Sequence, residues 1–272
     1  MTVNALAGKT IAITGGAQGI GAATAHRLSA AGARVVIGDL DTDLAKHTAD
    51  TVDGLALPLD VSSRESFASF LDEAIEQYGA LDGLVNNAGF MVIGRMLDVP
   101  LERQLRQVSV NLDGVINGCY EAATRLPHGG RIVNIASLAG RIPMPGSAVY
   151  NATKAGVLAL TESLDAELSP RIRVSAVMPS FTNTHLIDGT KATGLMKPVE
   201  PEDVAAAVLA ALLRPRLFRV VPKRFAWSAA HWSSMLSTAK PAMRRMFGMD
   251  TVFTEPDLTA RSSYDERTGF SG

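Results

Sequence analysis

The chain has 272 residues, of which 47% are apolar and 19% are charged, and its formal net charge is −1 at pH 7. This length and composition predict one large folded domain and argue against a disordered protein. A net charge so close to zero gives no field that would favour nucleic acid as a partner. Cys119 is the only cysteine, which excludes an intramolecular disulfide and a cluster of thiolate metal ligands.

No stretch of the sequence approaches the roughly 18 unbroken apolar residues that a membrane-spanning helix needs. The first apolar run follows no basic segment and ends in glycines, so it predicts a buried strand and not a signal peptide. The single cysteine suits a reducing compartment, and we therefore expect a cytoplasmic protein. The five histidines are scattered without metal-ligand spacing, so no metal site is predicted.

Short apolar segments alternate with amphipathic segments along residues 1–222. The predicted strands are 9–14, 34–38, 55–59, 81–86, 131–136, 173–178 and 218–222. The predicted helices are 19–31, 64–78, 101–126, 148–168 and 202–213. Such alternation predicts an α/β fold with a doubly wound parallel sheet in a single domain, covered by helices on both faces. Residues 223–272 would then form a helical C-terminal extension.

The first predicted strand runs through the glycine-rich segment TGGAQGIG, residues 14–21, into a helix. Gly15, Gly19 and Gly21 would allow a tight turn, a close approach of the backbone to a diphosphate, and close packing of helix on strand. The diphosphate would lie at the helix N-terminus, where free N–H groups favour anions. The segment predicts a dinucleotide cofactor, although glycines alone fit an ordinary turn equally well.

Asp39 ends the second predicted strand, about 20 residues after the glycines, where a carboxylate can bind both hydroxyls of the adenosine ribose. The same carboxylate would repel the 2′-phosphate of NADP. The loop offers Ala17 and Gln18 but no arginine or lysine for such a phosphate. NAD is therefore the predicted cofactor, and NADP is disfavoured. Asp41 and Asp43 are interpreted as a solvated acidic turn.

Ser137 and the segment YNATK, residues 150–154, follow the fifth predicted strand. Tyr150 and Lys154 lie four residues apart, and therefore on one face of a helix. A nearby ammonium stabilises a phenolate, so it would lower the pKa of Tyr150 from its ordinary value near ~10. A tyrosine tuned in this way can remove a proton from an alcohol or give one to a carbonyl. The spacing alone also fits a solvated helix, and Ser137 alone also fits a turn.

Together these motifs resemble the short-chain dehydrogenase/reductase family over residues 6–222. The motifs that carry the resemblance stand in the family's order: TGGAQGIG at 14–21, Asp60-Val61, NNAG at 86–89, Asn111, Ser137 and YNATK at 150–154. The resemblance implies a single-domain Rossmann fold, a nicotinamide cofactor, and an active site at the carboxyl ends of the strands.

The resemblance also implies roles for four catalytic residues. Asn111 would hold a water in a proton relay behind Lys154, although it could equally be a buried residue that serves a helix backbone. Ser137 would hydrogen-bond the substrate oxygen, and Tyr150 would be the acid/base. Lys154 would bind the nicotinamide ribose while lowering the pKa of Tyr150.

Cofactor contacts are implied around the rest of the cleft. They are Gly15, Gln18, Gly19, Ile20, Gly21, Asp39, Asp60, Val61, Asn87, Ala88, Gly89, Tyr150, Lys154, Pro179, Thr182 and Thr184. Asp60 and Val61 would flank the adenine, and Thr184 would meet the carboxamide. Pro179-Ser180 stands where the family usually has Pro-Gly, a departure that concerns the local loop geometry.

Segments 90–96, 142–149 and 181–196 are expected beside the open site, and few charges interrupt them. Apolar, flexible side chains suit a hydrophobic ligand, so a steroid, terpenoid or long-chain secondary alcohol or ketone is the leading substrate class. The predicted substrate contacts are Ser137, Tyr150, Met91, Met144, Phe181 and Leu186. Leu195 and Met196 would belong to the same region.

The extension is basic and aromatic near its start. Residues 214–249 contain eight arginines and lysines, both tryptophans, and no aspartate or glutamate. Such a stretch can lie on an anionic membrane surface or cover the substrate pocket, and we favour the cover. Residues 261–272 are polar and are expected to fray.

Two other functions remain open. A ketoreductase for acyl thioesters could use the basic extension to dock an acidic carrier protein, but Asp39 argues against the NADPH that it would prefer. A nucleotide-sensing protein without activity would usually lack one of the four catalytic groups, and all four are present. The resemblance further implies a homodimer or homotetramer, and the long extension favours the dimer.

Overall fold

The computed structural model describes residues 4–190, 197–246 and 249–268, so Leu195 and Met196 lie outside the described residues. The strands are β1 (Thr10–Thr14), β2 (Arg34–Asp39), β3 (Leu55–Pro58), β4 (Gly83–Asn86), β5 (Gly130–Ile135), β6 (Ile172–Pro179) and β7 (Phe218–Val221). They form one parallel sheet in the order β3-β2-β1-β4-β5-β6-β7. Every predicted strand forms, with ends within two residues of the prediction, and the doubly wound α/β fold is confirmed.

Helices cover both faces of the sheet. The helices are α1 (Gly19–Ser29), α2 (Thr42–Thr51), α3 (Arg64–Tyr78), α4 (Leu101–Val108), α5 (Gly114–Arg125), α6 (Ala148–Leu168), α7 (Pro201–Leu213), α8 (Ala226–His231), α9 (Ala239–Met246) and α10 (Leu258–Arg267). The α1, α2 and α7 helices pack on one face, and α3, α5 and α6 pack on the other.

The two cores follow from the alternation of side chains along each strand. In β1, Ile11 and Ile13 join the core under α1 and α7, whereas Ala12 joins the core on the opposite face. A strand that is buried on both faces needs apolar residues at nearly every position, which is why the sequence shows continuous apolar runs. The order of the strands reverses at β1, which pairs with β2 on one side and β4 on the other. The crevice outside this point is where open α/β sheets bind ligands.

The segment after β2 is a helix, which corrects the interpretation of Asp41 and Asp43 as an acidic turn. The Asp41 carboxylate accepts a hydrogen bond from the Leu44 N–H at 3.0 Å and caps α2, and Asp43 lies in the first turn. Aspartate is favoured at this capping position, and a carboxylate in the first turn interacts well with the helix dipole. Ala45 and Ala49 bury the inner face of α2.

The predicted helix 101–126 is interrupted at its centre. The α4 and α5 helices are joined by a π-helical turn, Ser109–Asp113, and the fully buried Asn111 lies in this turn. Such turns place one extra residue in a helix and are frequent at functional sites. Hydrophobic periodicity over the whole segment still indicates a helix, so the interruption was not predicted.

The C-terminal extension is helical, as expected, but its end is not frayed. The carboxylate of Asp257 caps α10 by accepting hydrogen bonds from Thr259 and Ala260, and α10 buries Arg261 and Tyr264. The expected fraying is therefore wrong through residue 268. No helix among the described residues is long and apolar enough to cross a membrane.

Candidate active site

A cavity of about 1250 Å³ opens at the carboxyl ends of the strands. Nearly every residue predicted for the site lines this cavity, and the two exceptions are Gly21 and Asn111, which lie behind its wall. The structure therefore brings the predicted catalytic, cofactor and substrate residues together in one place. The cavity is larger than a typical drug-sized pocket, which leaves room for a dinucleotide and a second molecule.

The glycines of the β1–α1 turn are required by close packing. A Cβ on Gly15 would lie 2.7 Å from the Ala88 Cα, and Gly15 has a φ of +62°. A Cβ on Gly21 would collide with the Gly15 carbonyl oxygen, so this glycine supports the loop from beneath. The φ of Gly19 is +56°, and the Thr184 side chain lies against it, which places the β6–α7 loop beside the turn.

Thr14 fixes this turn to the neighbouring strand. Its hydroxyl accepts hydrogen bonds from the N–H groups of Asn87 and Ala88, both at 3.0 Å. The Asn87 side-chain amide donates in return to the carbonyl oxygens of Thr14 at 3.0 Å and Gly15 at 2.8 Å. This role of Thr14 was not predicted from the sequence. Its place before the first glycine was the available signal.

Asp39 lies on the cavity wall at the end of β2. Its carboxylate accepts hydrogen bonds from the N–H groups of Ala17 at 3.0 Å and Asp41 at 3.2 Å. Burial raises the pKa of Asp39, and these hydrogen bonds oppose the rise because they stabilise the charged form. The carboxylate is thus held beside the glycine-rich turn, and its oxygens retain further lone pairs for ribose hydroxyls.

Asp60 and Val61 form the next part of the wall, after β3. The Asp60 carboxylate accepts hydrogen bonds from the Ser62 N–H at 2.9 Å and the Ser62 hydroxyl at 2.6 Å. The Val61 carbonyl accepts one from the Asn117 side chain at 3.0 Å. Both contacts fix the loop that the resemblance places beside an adenine.

These features together fit a nicotinamide dinucleotide. The positions of Gly15 and Gly21 leave no space for a side chain. The α1 helix begins after Gln18 without a side-chain capping bond, and the Asp39 carboxylate lies at the end of β2. Uncapped N–H groups at a helix N-terminus suit a diphosphate, and the carboxylate suits ribose hydroxyls.

Asn111 serves the backbone of the segment after β4. Its side chain accepts a hydrogen bond from the Phe90 N–H at 2.9 Å and donates one to the Phe90 carbonyl at 2.8 Å. A Cβ on Gly89 would lie 3.0 Å from the Asn111 amide oxygen and 3.7 Å from the Lys154 Nζ. Asn111 therefore fixes the wall behind Lys154, and its part in a proton relay stays a prediction.

Ser137, Tyr150 and Lys154 meet on the cavity floor between β5 and α6. The Ser137 hydroxyl accepts a hydrogen bond from the Ala139 N–H at 3.1 Å and lies close enough to the Tyr150 hydroxyl to affect its pKa. Lys154 Nζ donates to the Ile135 carbonyl at 2.9 Å and lies 5.7 Å from the centre of the Tyr150 ring. Only 8% of Tyr150 and 5% of Lys154 are exposed.

The pKa of Tyr150 is shifted in the opposite direction to the one we expected. Burial raises the pKa of Tyr150 above its ordinary value, and the hydrogen bond with Ser137 opposes only part of this rise. Burial also lowers the pKa of Lys154 to about 8. Burial disfavours both charged forms, and Lys154 directs its ammonium to the Ile135 carbonyl. Tyr150 is therefore a phenol at neutral pH, which can donate a proton.

The wall facing Tyr150 is apolar and combines the predicted substrate contacts with the extension. Met91, Met144, Phe181 and Leu186 pack in one cluster with Tyr150, and Met249, Val252 and Phe253 join the same cluster from the extension. The rings of Phe181 and Phe253 have centres 5.6 Å apart. Gly146 has a φ of +81°, and a Cβ there would collide with the backbone of Phe253.

The α10 helix is tied to both loops that carry these apolar residues. Arg261 is 1% exposed and donates hydrogen bonds to the carbonyls of Leu186 at 3.2 Å, Asp188 at 2.9 Å, and Met91. The Tyr264 hydroxyl accepts one from the Met91 N–H at 2.9 Å. Neither residue was predicted from the sequence, where their spacing of three on a helix was the only signal.

The comparisons with known proteins agree with this site. A family model described as short chain dehydrogenase matches residues 9–193. A 2,5-dichloro-2,5-cyclohexadiene-1,4-diol dehydrogenase, LinX of Sphingobium indicum, is 38% identical over 189 residues, which cover 66% of this chain and 76% of that protein. The probable oxidoreductase EphD of Mycobacterium tuberculosis is 32% identical over 245 residues, or 79% of this chain. The chain spans only 41% of the length of EphD.

Solved structures of reductases and short-chain dehydrogenases are also similar to this chain. A 3-ketoacyl-(acyl-carrier-protein) reductase from Brucella melitensis, complexed with NADH, has a TM-score of 0.71 and 31% identity, with 76% of this chain and 91% of that chain covered. Complexes with NAD and with NADP also occur among the similar structures. The fold and the site are of the kind found in oxidoreductases that bind a nicotinamide dinucleotide. The chain belongs to the short-chain dehydrogenase/reductase family.

Proposed function

We propose that this chain is an NAD-dependent dehydrogenase that interconverts a hydrophobic secondary alcohol and its ketone. The observation that carries the proposal is the arrangement of Ser137, Tyr150 and Lys154 on the floor of a cavity whose facing wall is apolar. Steroid, terpenoid and long-chain compounds are the proposed substrate classes. The dehydrogenase activity of LinX toward a ring-bearing diol supports a cyclic alcohol in particular.

In the proposed mechanism, Tyr150 and Ser137 hold the substrate oxygen from two sides. A nicotinamide dinucleotide held by the glycine-rich turn and Asp39 would supply the hydride chemistry. Tyr150 donates its phenol proton to the carbonyl oxygen in reduction and, as phenolate, removes the hydroxyl proton in oxidation. Lys154 keeps a positive charge close to the Tyr150 ring, and the apolar wall excludes water from the reacting atoms.

The raised pKa of Tyr150 predicts a pH dependence that differs between the two directions. Oxidation needs the phenolate, so its kcat/KM should rise about tenfold per pH unit from about pH 6 to about pH 7.5, where Lys154 still carries its charge. Reduction needs the phenol and should stay level over the same interval. Initial rates in both directions test this prediction. An oxidative rate that is already level below about pH 7.5 would show that the loaded site lowers the tyrosine pKa after all.

Asp39 is the basis for proposing NAD over NADP. The variant Asp39→Asn keeps an oxygen that can accept the Ala17 N–H but removes the charge that would repel a 2′-phosphate. A hydrogen bond to a charged group contributes about 1.5–3 kcal/mol, so the preference for NAD over NADP should fall about tenfold to hundredfold. The ratio of the two kcat/KM values measures this preference. The control is Asp43→Asn, which removes an equal charge outside the cavity wall, and an unchanged ratio in Asp39→Asn would refute the assignment.

We propose that the extension, residues 223–272, covers the substrate end of the cavity. The packing of Val252 and Phe253 against Tyr150 and Phe181 supports this role. A peripheral membrane contact is the weaker alternative, because Trp232 is buried, although Trp227 and Leu236 remain exposed.

A ketoreductase acting on carrier-bound acyl thioesters is the second candidate. The similarity to the Brucella melitensis reductase favours it, and so does the basic surface of the extension. Asp39 and the apolar cover favour the first candidate. A protein that only senses nucleotides is the least supported, because all four catalytic side chains are present.

We also propose that the chain forms a homodimer. Exposed apolar side chains on α4 and α5 support a contact between copies. These are Leu101, Leu105, Ile116 and Tyr120. They lie on the helices that flank Asn111, which the family pairs across a two-fold axis.

A substrate panel tests the proposed function. NADH and NADPH formation would be followed with steroid, terpenoid, long-chain, cyclic and sugar alcohols, and the reverse reaction with the ketones and with a 3-oxoacyl thioester. We expect NADH formation confined to one apolar class. Turnover of the thioester alone would favour the second candidate, and NAD binding without any turnover would favour the sensing protein.

A further inference from the structure

Arg267, in the last turn of α10, carries a guanidinium to the mouth of the cavity. Its Nη1 lies 3.4 Å from the side-chain oxygen of Gln18 in the glycine-rich turn, and its Nε donates to the Ser263 carbonyl at 3.2 Å. Arg267 and the following Thr268 line the cavity together with Gln18. Arg267 thus reaches the predicted cofactor loop, although it lies 249 residues away from Gln18 in the sequence.

The charges around the loop give this contact its significance. Residues 14–21 contain no lysine or arginine, and the nearby wall carries the carboxylates of Asp39, Asp41 and Asp60. The Lys154 ammonium donates a hydrogen bond to the Ile135 carbonyl, at the catalytic end of the cavity. A diphosphate on this loop would carry two negative charges, and a guanidinium beside Gln18 is well placed to offset them.

We propose that Arg267 binds the diphosphate of the nicotinamide dinucleotide and makes α10 part of the cofactor site. The inference rests on the proposed function, because it requires a dinucleotide on the glycine-rich loop. Guanidinium pairs with phosphate oxygens through charged hydrogen bonds, often two at once, and lysine reproduces only the charge. Thr268 offers a hydroxyl at the same edge of the cavity.

The same helix would connect the two halves of the site. Arg261 and Tyr264 hold the substrate loops at Met91 and Leu186, and Arg267 lies less than two turns further along α10. A cofactor that binds Arg267 would therefore secure the cover over the substrate.

A purely structural role for Arg267 makes a different prediction. A basic residue in the last turn of a helix interacts favourably with the helix dipole, and the contact with Gln18 could simply dock α10. In that case removal of the charge would destabilise the protein without ligand. It would leave the affinity for a nucleotide unchanged.

Titration calorimetry separates these roles. NAD, NADP, ADP-ribose and adenosine would be titrated into the wild type and into Arg267→Gln and Arg267→Lys, with Arg245→Gln as a control for an exposed cation outside the cavity wall. We expect Arg267→Gln to bind NAD and ADP-ribose about tenfold to thirtyfold more weakly and adenosine equally well, because adenosine lacks the diphosphate. Arg267→Lys should lose about threefold or less, and Arg245→Gln should match the wild type.

The outcomes distinguish the inference from the proposed function. Wild type that does not bind NAD would overturn both, whereas NAD affinity that is equal in wild type and Arg267→Gln would overturn only the role of Arg267. A loss confined to NADP would assign Arg267 to the 2′-phosphate and also contradict the inference. Hydrogen exchange gives a second readout: NAD should protect the amides of α10 in the wild type and not in Arg267→Gln.

Discussion

Replacement of Tyr150 by phenylalanine should reduce turnover by about 10³-fold or more, because the Tyr150 hydroxyl is the group that moves the proton of the substrate oxygen. The affinity for NAD should change by less than about threefold, since the variant loses a single hydroxyl. Ser137 keeps its hydrogen bond from the Ala139 N–H in this variant, so the fold should be retained. Steady-state rates and NAD titrations measure the two effects separately.

Tyr78→Phe is the matched control for this variant, because Tyr78 lies on α3 outside the cavity wall. Tyr78→Phe also removes one tyrosine hydroxyl, and it should keep the turnover of the wild type. Turnover of Tyr150→Phe within about tenfold of the wild type would remove Tyr150 from the mechanism.

Replacement of Arg261 by methionine should release α10 from the substrate loops. The change leaves the carbonyls of Met91, Leu186 and Asp188 without their shared donor, while Asp265 keeps its ion pair with Arg103 at 3.0 Å. Each buried acceptor that loses its donor costs about 1–3 kcal/mol, and three of them are enough to undock a short helix. We expect the amides of α10 to exchange about 10²-fold faster or more, and turnover of an apolar substrate to fall with the loss of the cover.

The sheet and α1 to α7 should remain folded in this variant, because among the described residues Arg261 bonds to the extension and the two loops. The exposed Arg245→Met is the control and should leave the exchange of α10 unchanged. Equal exchange rates in Arg261→Met and the wild type would show that apolar contacts alone hold the extension.

Local patterns were sufficient to predict the sheet and most of the site. The β1–α1 turn could be predicted from its glycines, because the positive φ of Gly15 and Gly19 is a local requirement of the backbone that glycine meets without strain. Tyr150 and Lys154 were predicted to share a face because the period of a helix fixes their spacing. The strands were predicted because burial on both faces demands an apolar residue at nearly every position.

Features that depend on distant contacts were missed. The π-helical turn around Asn111 retains an overall helical pattern, so hydrophobic periodicity does not mark it. Arg261 and Tyr264 look like surface residues in the sequence, and they are buried only because their partners, Met91 and Leu186, come from loops far away in the chain. The pKa of Tyr150 depends on the balance between burial and the direction of the Lys154 ammonium, which spacing alone does not give.

Deuterium transfer is the measurement that tests the central claim most directly. A ketone from the reactive class of the panel would be reduced with NADH that carries deuterium at nicotinamide C4, by the wild type and by Tyr150→Phe. The account predicts deuterium on the carbinol carbon of the product from the wild type, a hydroxyl proton from solvent, and no product from the variant. A carbinol hydrogen that comes from solvent, or equal product from the variant, would contradict hydride transfer assisted by Tyr150.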